Sequence, residues 1–165
     1  MTTPFFLLLK KEEKLTNKAQ KIGNEIKIDK EGNWFYNGAQ IINRNVLLLF
    51  CGSLENDVSG GYLLRVEKET SPVIVENTPF VVVDVVKEGG FIKIQINDET
   101  IETLDPESFF IDRNSVPYCR VKKGQFPARF LRKAYYRIAE YFEQDENEKF
   151  FVRLPNKKVY VNQEN

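Results

Sequence analysis

From Tyr62 to Thr103 the chain alternates β-branched or aromatic runs with clusters of turn-forming residues, and that rhythm commits it to strands. Tyr62-Leu63-Leu64-Arg65-Val66, Val73–Val75, Phe80–Val86, Phe91–Ile96 and a shorter run at Thr100–Thr103 each have the composition of a strand. Asn77-Thr78-Pro79 and Glu88-Gly89-Gly90 lie between them and supply the backbone angles of tight turns. Punctuation this frequent leaves no room for helices of ordinary length and points to an antiparallel meander, which Asp105-Pro106-Glu107 then breaks.

On either side of the meander the pattern changes. Ile26–Asp29 and Trp34–Tyr36 read as a hairpin joined by Lys30-Glu31-Gly32-Asn33. Val46 to Phe50 is apolar, follows the capping-type Asn43 and contains no proline. A helix running to about Glu55 competes there with a buried strand, and the cap favours the helix. Downstream, Tyr118–Val121 and Phe126 to Ala128 flank the turn Lys122-Lys123-Gly124. Leu131, Ala134, Tyr135, Ile138 and Phe142 then recur at intervals of three and four, marking one apolar helical face that should end at Asp145 to Glu148. Phe150–Arg153 and Lys158–Val161 close the chain as a hairpin around Pro155-Asn156.

The two ends repeat one order: strand, glycine turn, strand, arginine-headed helix, polar break, strand. The offset drifts from 92 residues at the glycines to 88 at the closing arginines, Arg65 and Arg153, which marks a weak duplication. The expected fold class is α+β, with two β-rich subdomains, each of antiparallel strands plus a helix. Residues 26–108 would form the first and 109–165 the second. Residues 1–25, rich in Lys, Glu, Asn and Gln with Leu15, Ala19 and Ile22 at helical spacing, would form a weakly ordered or helical arm, with a partner-binding helix as the alternative. The apolar run Phe5 to Leu9 is too short for a signal-peptide core or a membrane span.

Composition narrows function more than it narrows fold. At 165 residues the chain can bury roughly 70% of its unfolded surface, so no staple of disulfides or metal is required. There is no histidine, which removes Ser-His-Asp and Cys-His triads and most catalytic zinc sites. Cys51 and Cys119 stand far apart among apolar neighbours and read as buried thiols of a reducing, cytoplasmic compartment. Lys plus Arg and Asp plus Glu both total 24, so no whole-chain field draws the protein to nucleic acid or to a membrane. Neither GxxxxGK[ST] nor GxGxxG occurs, and no cofactor is implied. The expectation is a binding module and not an enzyme.

Several motifs resemble a known family by their order and spacing. Gly32-Asn33-Trp34-Phe35-Tyr36-Asn37-Gly38 is followed by Ile41-Ile42-Asn43-Arg44, then Tyr62-Leu63-Leu64 with Val66-Glu67-Lys68. Val75-Glu76-Asn77-Thr78-Pro79-Phe80 comes next, and Pro117-Tyr118-Cys119-Arg120-Val121 precedes the helix headed by Arg132. Over roughly residues 26–162 the sequence resembles the bacterial domain-of-unknown-function family 1285, although Asn77 stands where that family's pattern has an aspartate. The resemblance implies a duplicated fold whose second half is similar to a pleckstrin-homology domain. It also implies a nucleotide-type ligand at the interface of the halves and a role in signalling.

The residues that could serve such a ligand each have a plainer reading. Arg44 and Arg132 head the matching helices, where an arginine can join backbone N–H donors in holding a phosphate, or lay its stem over apolar surface. Trp34 and Tyr36 share one face of a strand and could stack on a base or pack in the core; Tyr118 and Arg120 repeat that spacing. Lys68 would contact phosphate and Glu67 a ribose hydroxyl, unless both simply solvate a strand end. A basic and aromatic stripe from Lys122 to Arg137 could bind single-stranded nucleic acid, but the acidic run beginning at Glu140 follows at once and an amphipathic helix explains it equally. A scaffold offering a sheet edge or groove to a protein partner is the second reading. A carboxylate enzyme using Glu67 and Asp84 is the third.

Overall fold

The computed structural model describes residues 24–163, so the N-terminal arm lies outside the described residues except for its last two positions. The described chain is mostly strand, with two α-helices, and it divides into two compact units between Asn77 and Thr78.

In the first unit, β1 (Ile26–Ile28), β2 (Trp34–Tyr36), β3 (Ala39–Gln40), β4 (Leu54–Asn56), β5 (Tyr62–Val66) and β6 (Glu69–Val75) form one six-stranded sheet in the order β3-β2-β1-β6-β5-β4. Every neighbouring pair is antiparallel except β1 and β6. Helix α1 (Arg44–Gly52) begins where expected because the Asn43 side chain accepts a hydrogen bond from the Val46 amide at 3.2 Å. It stops at Gly52, short of Glu55, because the Ser53 carbonyl accepts the Arg65 amide and the chain turns into β4. Val46, Phe50 and Cys51 are buried, and the Phe50 ring meets Trp34 at 5.6 Å between centroids.

The hairpin between β1 and β2 follows a local rule. The Asp29 carboxylate accepts the amides of Glu31 and Asn33, both at 2.9 Å, while Gly32 takes a positive φ of 83°. The same turn recurs at Asp112, which accepts from Asn114 and Val116, and at Asp145, which accepts from Asn147 and Lys149. Ser115 and Glu148 hold the positive-φ position there. Each aspartate satisfies two amides that the sharp reversal would otherwise leave unpaired.

In the second unit, β7 (Phe80–Glu88), β8 (Phe91–Ile96) and β9 (Ile101–Thr103) pair antiparallel as the last three strands of the expected Tyr62–Thr103 meander. Its first two, β5 and β6, belong to the first unit's sheet, so the meander is not continuous. A short 3-10 turn at Pro106–Ser108 leads to β10 (Phe110–Ile111), β11 (Pro117–Val121) and β12 (Phe126–Phe130). Helix α2 (Arg132–Ala139), β13 (Phe142–Gln144), β14 (Phe150–Arg153), β15 (Lys158–Tyr160) and β16 (Asn162–Gln163) complete it. A seven-stranded sheet runs β16-β10-β11-β12-β7-β8-β9, and β13-β14-β15 form a separate three-stranded sheet.

Three expectations change. The boundary is not at 108/109, because β12 pairs in parallel with β7 and joins the meander to the C-terminal segment in one sheet. Helix α2 does not reach Phe142, because the Asp145 turn folds Phe142–Gln144 back against Phe150–Val152 as a hairpin. The repeated order of hairpin, helix and meander is present in both units, yet β6 returns to β1 in the first while β13-β14-β15 stay apart in the second.

Candidate functional site

Helix α2 organises the polar and aromatic surface of the second unit. Its N-terminal junction is fixed by the Leu131 amide, which donates to the Val82 carbonyl at 3.0 Å, and its buried side is Ala134 and Ile138. At 100° per residue, Lys133 and Arg137 fall on one flank of that buried side, Tyr135 and Ala139 on the other, and Arg132 and Tyr136 point outward between them.

The Tyr135 flank borders a half-open hollow of about 320 Å³ that is also lined by Ala139, Phe142, Phe150, Ile111, Ser115 and Gln163. Phe109, buried beneath, braces the wall with edge contacts to Phe142 at 5.5 Å and Phe130 at 5.4 Å. Phe150 and Gln163 are shared with a wider, open hollow of about 750 Å³ that also reaches Tyr160 and Asp145. The Lys149 amide, the Asn147 amide and the Tyr160 hydroxyl all donate to Asp145 and hold its carboxyl below the usual range, and Asp145 in turn pushes the Tyr160 phenol up. Arg132 lies over the Tyr136 ring, 5.9 Å from its centroid.

The opposite flank is ionic. An extra residue in β7 between Val82 and Asp84 turns Asp84 onto the outer face of the sheet, opposite Gln95. There it accepts the Lys133 ammonium at 2.6 Å and faces the Arg137 Nε at 3.2 Å. The Lys133 hydrogen bond, helped by the Val85 amide and the Arg137 charge, keeps the Asp84 carboxyl below its ordinary range.

The residues singled out in the sequence do not form one cluster. Trp34, 1% exposed, and Tyr36, 4% exposed, do share a strand face, but it is the face turned into the first unit's core. Tyr36 gives its hydroxyl to the Asn24 side chain at 3.0 Å. Tyr118 is also buried, stacked on Phe110 at 5.3 Å. None of the three offers a ring face to a base. Arg120 donates to the carbonyls of Gly124 and Gln125 at 2.7 and 3.2 Å, tying down its own hairpin turn. Glu67 and Lys68 form the exposed turn between β5 and β6, with Glu67 at a φ of 56°. Arg44 is exposed at the start of α1 in the first unit, and Arg132 holds the matching position in the second.

Phe142 and Phe150 were not among the expected site residues. Their signal was the string Asp145-Glu146-Asn147-Glu148-Lys149, which has the aspartate of the Asp29 turn at the same place and predicts a hairpin that pairs Phe142–Gln144 with Phe150–Val152. Among the described residues no cluster of three acidic or cysteine side chains is arranged to hold a metal, and no helix is long and apolar enough to cross a membrane.

No protein-family model matches the sequence, and a search of curated proteins gives no match. The likeness is in three dimensions. A DUF1285 family protein from Silicibacter pomeroyi aligns over 90% of this chain and 85% of its own length, with 22% identity and a TM-score of 0.70. The chain has the DUF1285 fold. A second DUF1285 family protein, from Shewanella baltica, aligns over 71% of this chain and 91% of its own, with 20% identity and a TM-score of 0.60. The resemblance carried by the ordered motifs from Gly32 to Arg132 is thus borne out in the fold, and within that DUF1285 fold the aromatic hollow and the Asp84 flank both belong to the second unit.

Proposed function

We propose that this chain is a DUF1285-type module that acts by binding a small molecule, with a nucleotide-type ligand whose base lies against Tyr135, Phe142 and Phe150 and whose phosphate reaches Arg132. The observation that carries this reading is the aromatic hollow itself. Its volume of about 320 Å³ is at the lower end of the range for small-molecule sites, roughly 300–1,000 Å³, and its walls are aromatic and aliphatic with Ser115 and Gln163 as polar groups. Arg132 stands one helical turn from Tyr135, about 5 Å along the axis, a reach suited to a phosphate attached to a stacked base.

The site therefore differs from the one first read in the sequence, since Trp34 and Tyr118 are core rings. Arg132 is retained, and Phe150 takes the stacking role. A binding role also fits the state of Asp84, which is held ionised by two cations and is poorly suited to donate a proton near neutral pH. Signalling would follow from a ligand that contacts one arrangement of the β13-β14 hairpin better than another.

A thermal-shift screen against mono-, di- and cyclic nucleotides, with Arg132→Ala and Phe150→Ala in parallel, tests the reading. A ligand at about one hundred times its dissociation constant adds roughly 2.7 kcal/mol, several degrees for a chain of this size. A shift in the wild type that both folded variants lose supports the site. No shift across the panel, or a shift indifferent to both substitutions, overturns it.

A further inference from the structure

On the far side of α2, the outer face of the β7-β8-β9 meander exposes apolar side chains. Cross-strand pairing places Asp84 beside Gln95 and Ile101, and Val86 beside Lys93 and Thr103, all on one face. The opposite face carries Val85, Ile92, Ile94 and Ile96 into the core. A solvent face of a meander ordinarily carries polar residues, yet here Ile101 is 66%, Val86 52% and Phe91 44% exposed. Val86 and Ile101 also line a shallow depression of about 120 Å³ together with Asp84, Lys93, Gln95 and Arg137.

The charges are segregated. The depression is lined by Lys93 and Arg137 against the single carboxylate Asp84, which Arg137 and, from beside the depression, Lys133 neutralise. Glu102 is on the opposite face, where its carboxylate accepts the Lys122 amide, and Glu88 lies at the far end beside Phe91. Glu140 follows Arg137 on the helix side. An apolar step ringed by surplus positive charge complements a segment that offers an apolar side chain between carboxylates.

We infer that this face binds an acidic peptide segment of another protein, with an apolar anchor seated between Val86 and Ile101 and flanking carboxylates on Lys93 and Arg137. This surface is separate from the Tyr135 hollow, and neither inference needs the other.

The test is selection of a random-peptide display library on the full chain, repeated with Ile101→Glu and with Lys93→Glu. Both positions face solvent or its margin, and circular dichroism with a melting curve confirms that the variants fold. The expected result is enrichment of peptides combining Asp or Glu with Leu, Ile or Phe. Synthetic copies should bind the wild type at least about tenfold more tightly than either variant, a difference of about 1.4 kcal/mol, and should weaken with added salt. No enrichment, enrichment of basic or uncharged peptides, or binding that survives both substitutions overturns the inference.

Discussion

Arg65 reaches back across the β4–β5 hairpin to Glu55, its Nε 3.0 Å from Oε2, and the contact is repeated 88 residues further along by Arg153 and Glu143 on β13 and β14. The aspartates that open the two turns, Asp57 and Asp145, repeat at the same interval, and in both turns the amide at the aspartate meets a carbonyl four residues on. At this interval the two hairpins share a local design, while their sheets pair differently. Its ion pair and its turn carry unequal weight.

Arg65 and Glu55 are about half exposed, and a pair so solvated gains little over its screened and entropic costs. Arg65→Ala should change unfolding free energy by less than about 1 kcal/mol. Asp29→Ala instead leaves the Glu31 and Asn33 amides without their acceptor, and should cost about 1–2 kcal/mol. Urea denaturation of both variants checks the order; an Arg65 variant weaker than the Asp29 variant would contradict it.

Trp34 is the only tryptophan, packed on Phe50 within the first unit with its Nε1 buried and without a hydrogen-bond partner among the described residues. Its fluorescence should resist acrylamide in the native state and should not respond directly to a ligand of the second unit. Phe50→Ala opens a cavity beneath the indole and should destabilise by about 3–5 kcal/mol, with quenching rising in step. Strong quenching of the native wild type would show instead that the indole is wet.

The strands were legible because β-branched runs and turn residues act locally: the meander from Phe80 to Thr103, the Asn43 cap and the Trp34–Tyr36 hairpin all follow from neighbours in sequence. What failed depended on partners far away. The parallel pairing of Phe80–Val82 with Ala128–Phe130 leaves no local mark, so nothing near residue 77 in the sequence announces the boundary there. The apolar spacing from Leu131 to Phe142 continues past the end of α2, because Phe142 keeps an apolar role while changing from helix to strand. Alternation told that Trp34 and Tyr36 share a face but not which face is dry. Arg132 could be placed because a helix start is a local feature; Phe150 could not, since its site needs residues from Ile111 to Gln163.

Asp84 supplies the clearest pH dependence. Its carboxyl is held below the usual range by Lys133, the Val85 amide and Arg137, so folding favours the ionised form. A depressed carboxyl stabilises the fold above its unfolded pKa, about 3.9, and the benefit is lost as pH falls through the folded value. The melting-temperature difference between wild type and Asp84→Asn should therefore be steady near neutrality and shrink on acidification below about pH 4. Because Lys133 and Arg137 are half exposed or more, added salt should shrink it as well. A difference that grows as pH falls would reverse the sign and overturn the assignment.

Both cysteines should behave as core residues. Cys51 is buried on the inner side of α1, and Cys119 lies on β11 with no exposed surface. Burial pushes the Cys119 thiol up, with the negative charges of Glu102 and Asp105 acting in the same direction, so the thiolate that attacks disulfide reagents is suppressed twice over. The native protein should give almost no reaction with an aromatic disulfide reagent at neutral pH, and two equivalents once unfolded in denaturant. Because the reagent must wait for the chain to open, the rate should track unfolding. Phe50→Ala, which loosens the first unit, should release Cys51 sooner than Cys119, and mass spectrometry of partly labelled protein separates the two. Equal acceleration at both thiols would mean that the two units open together.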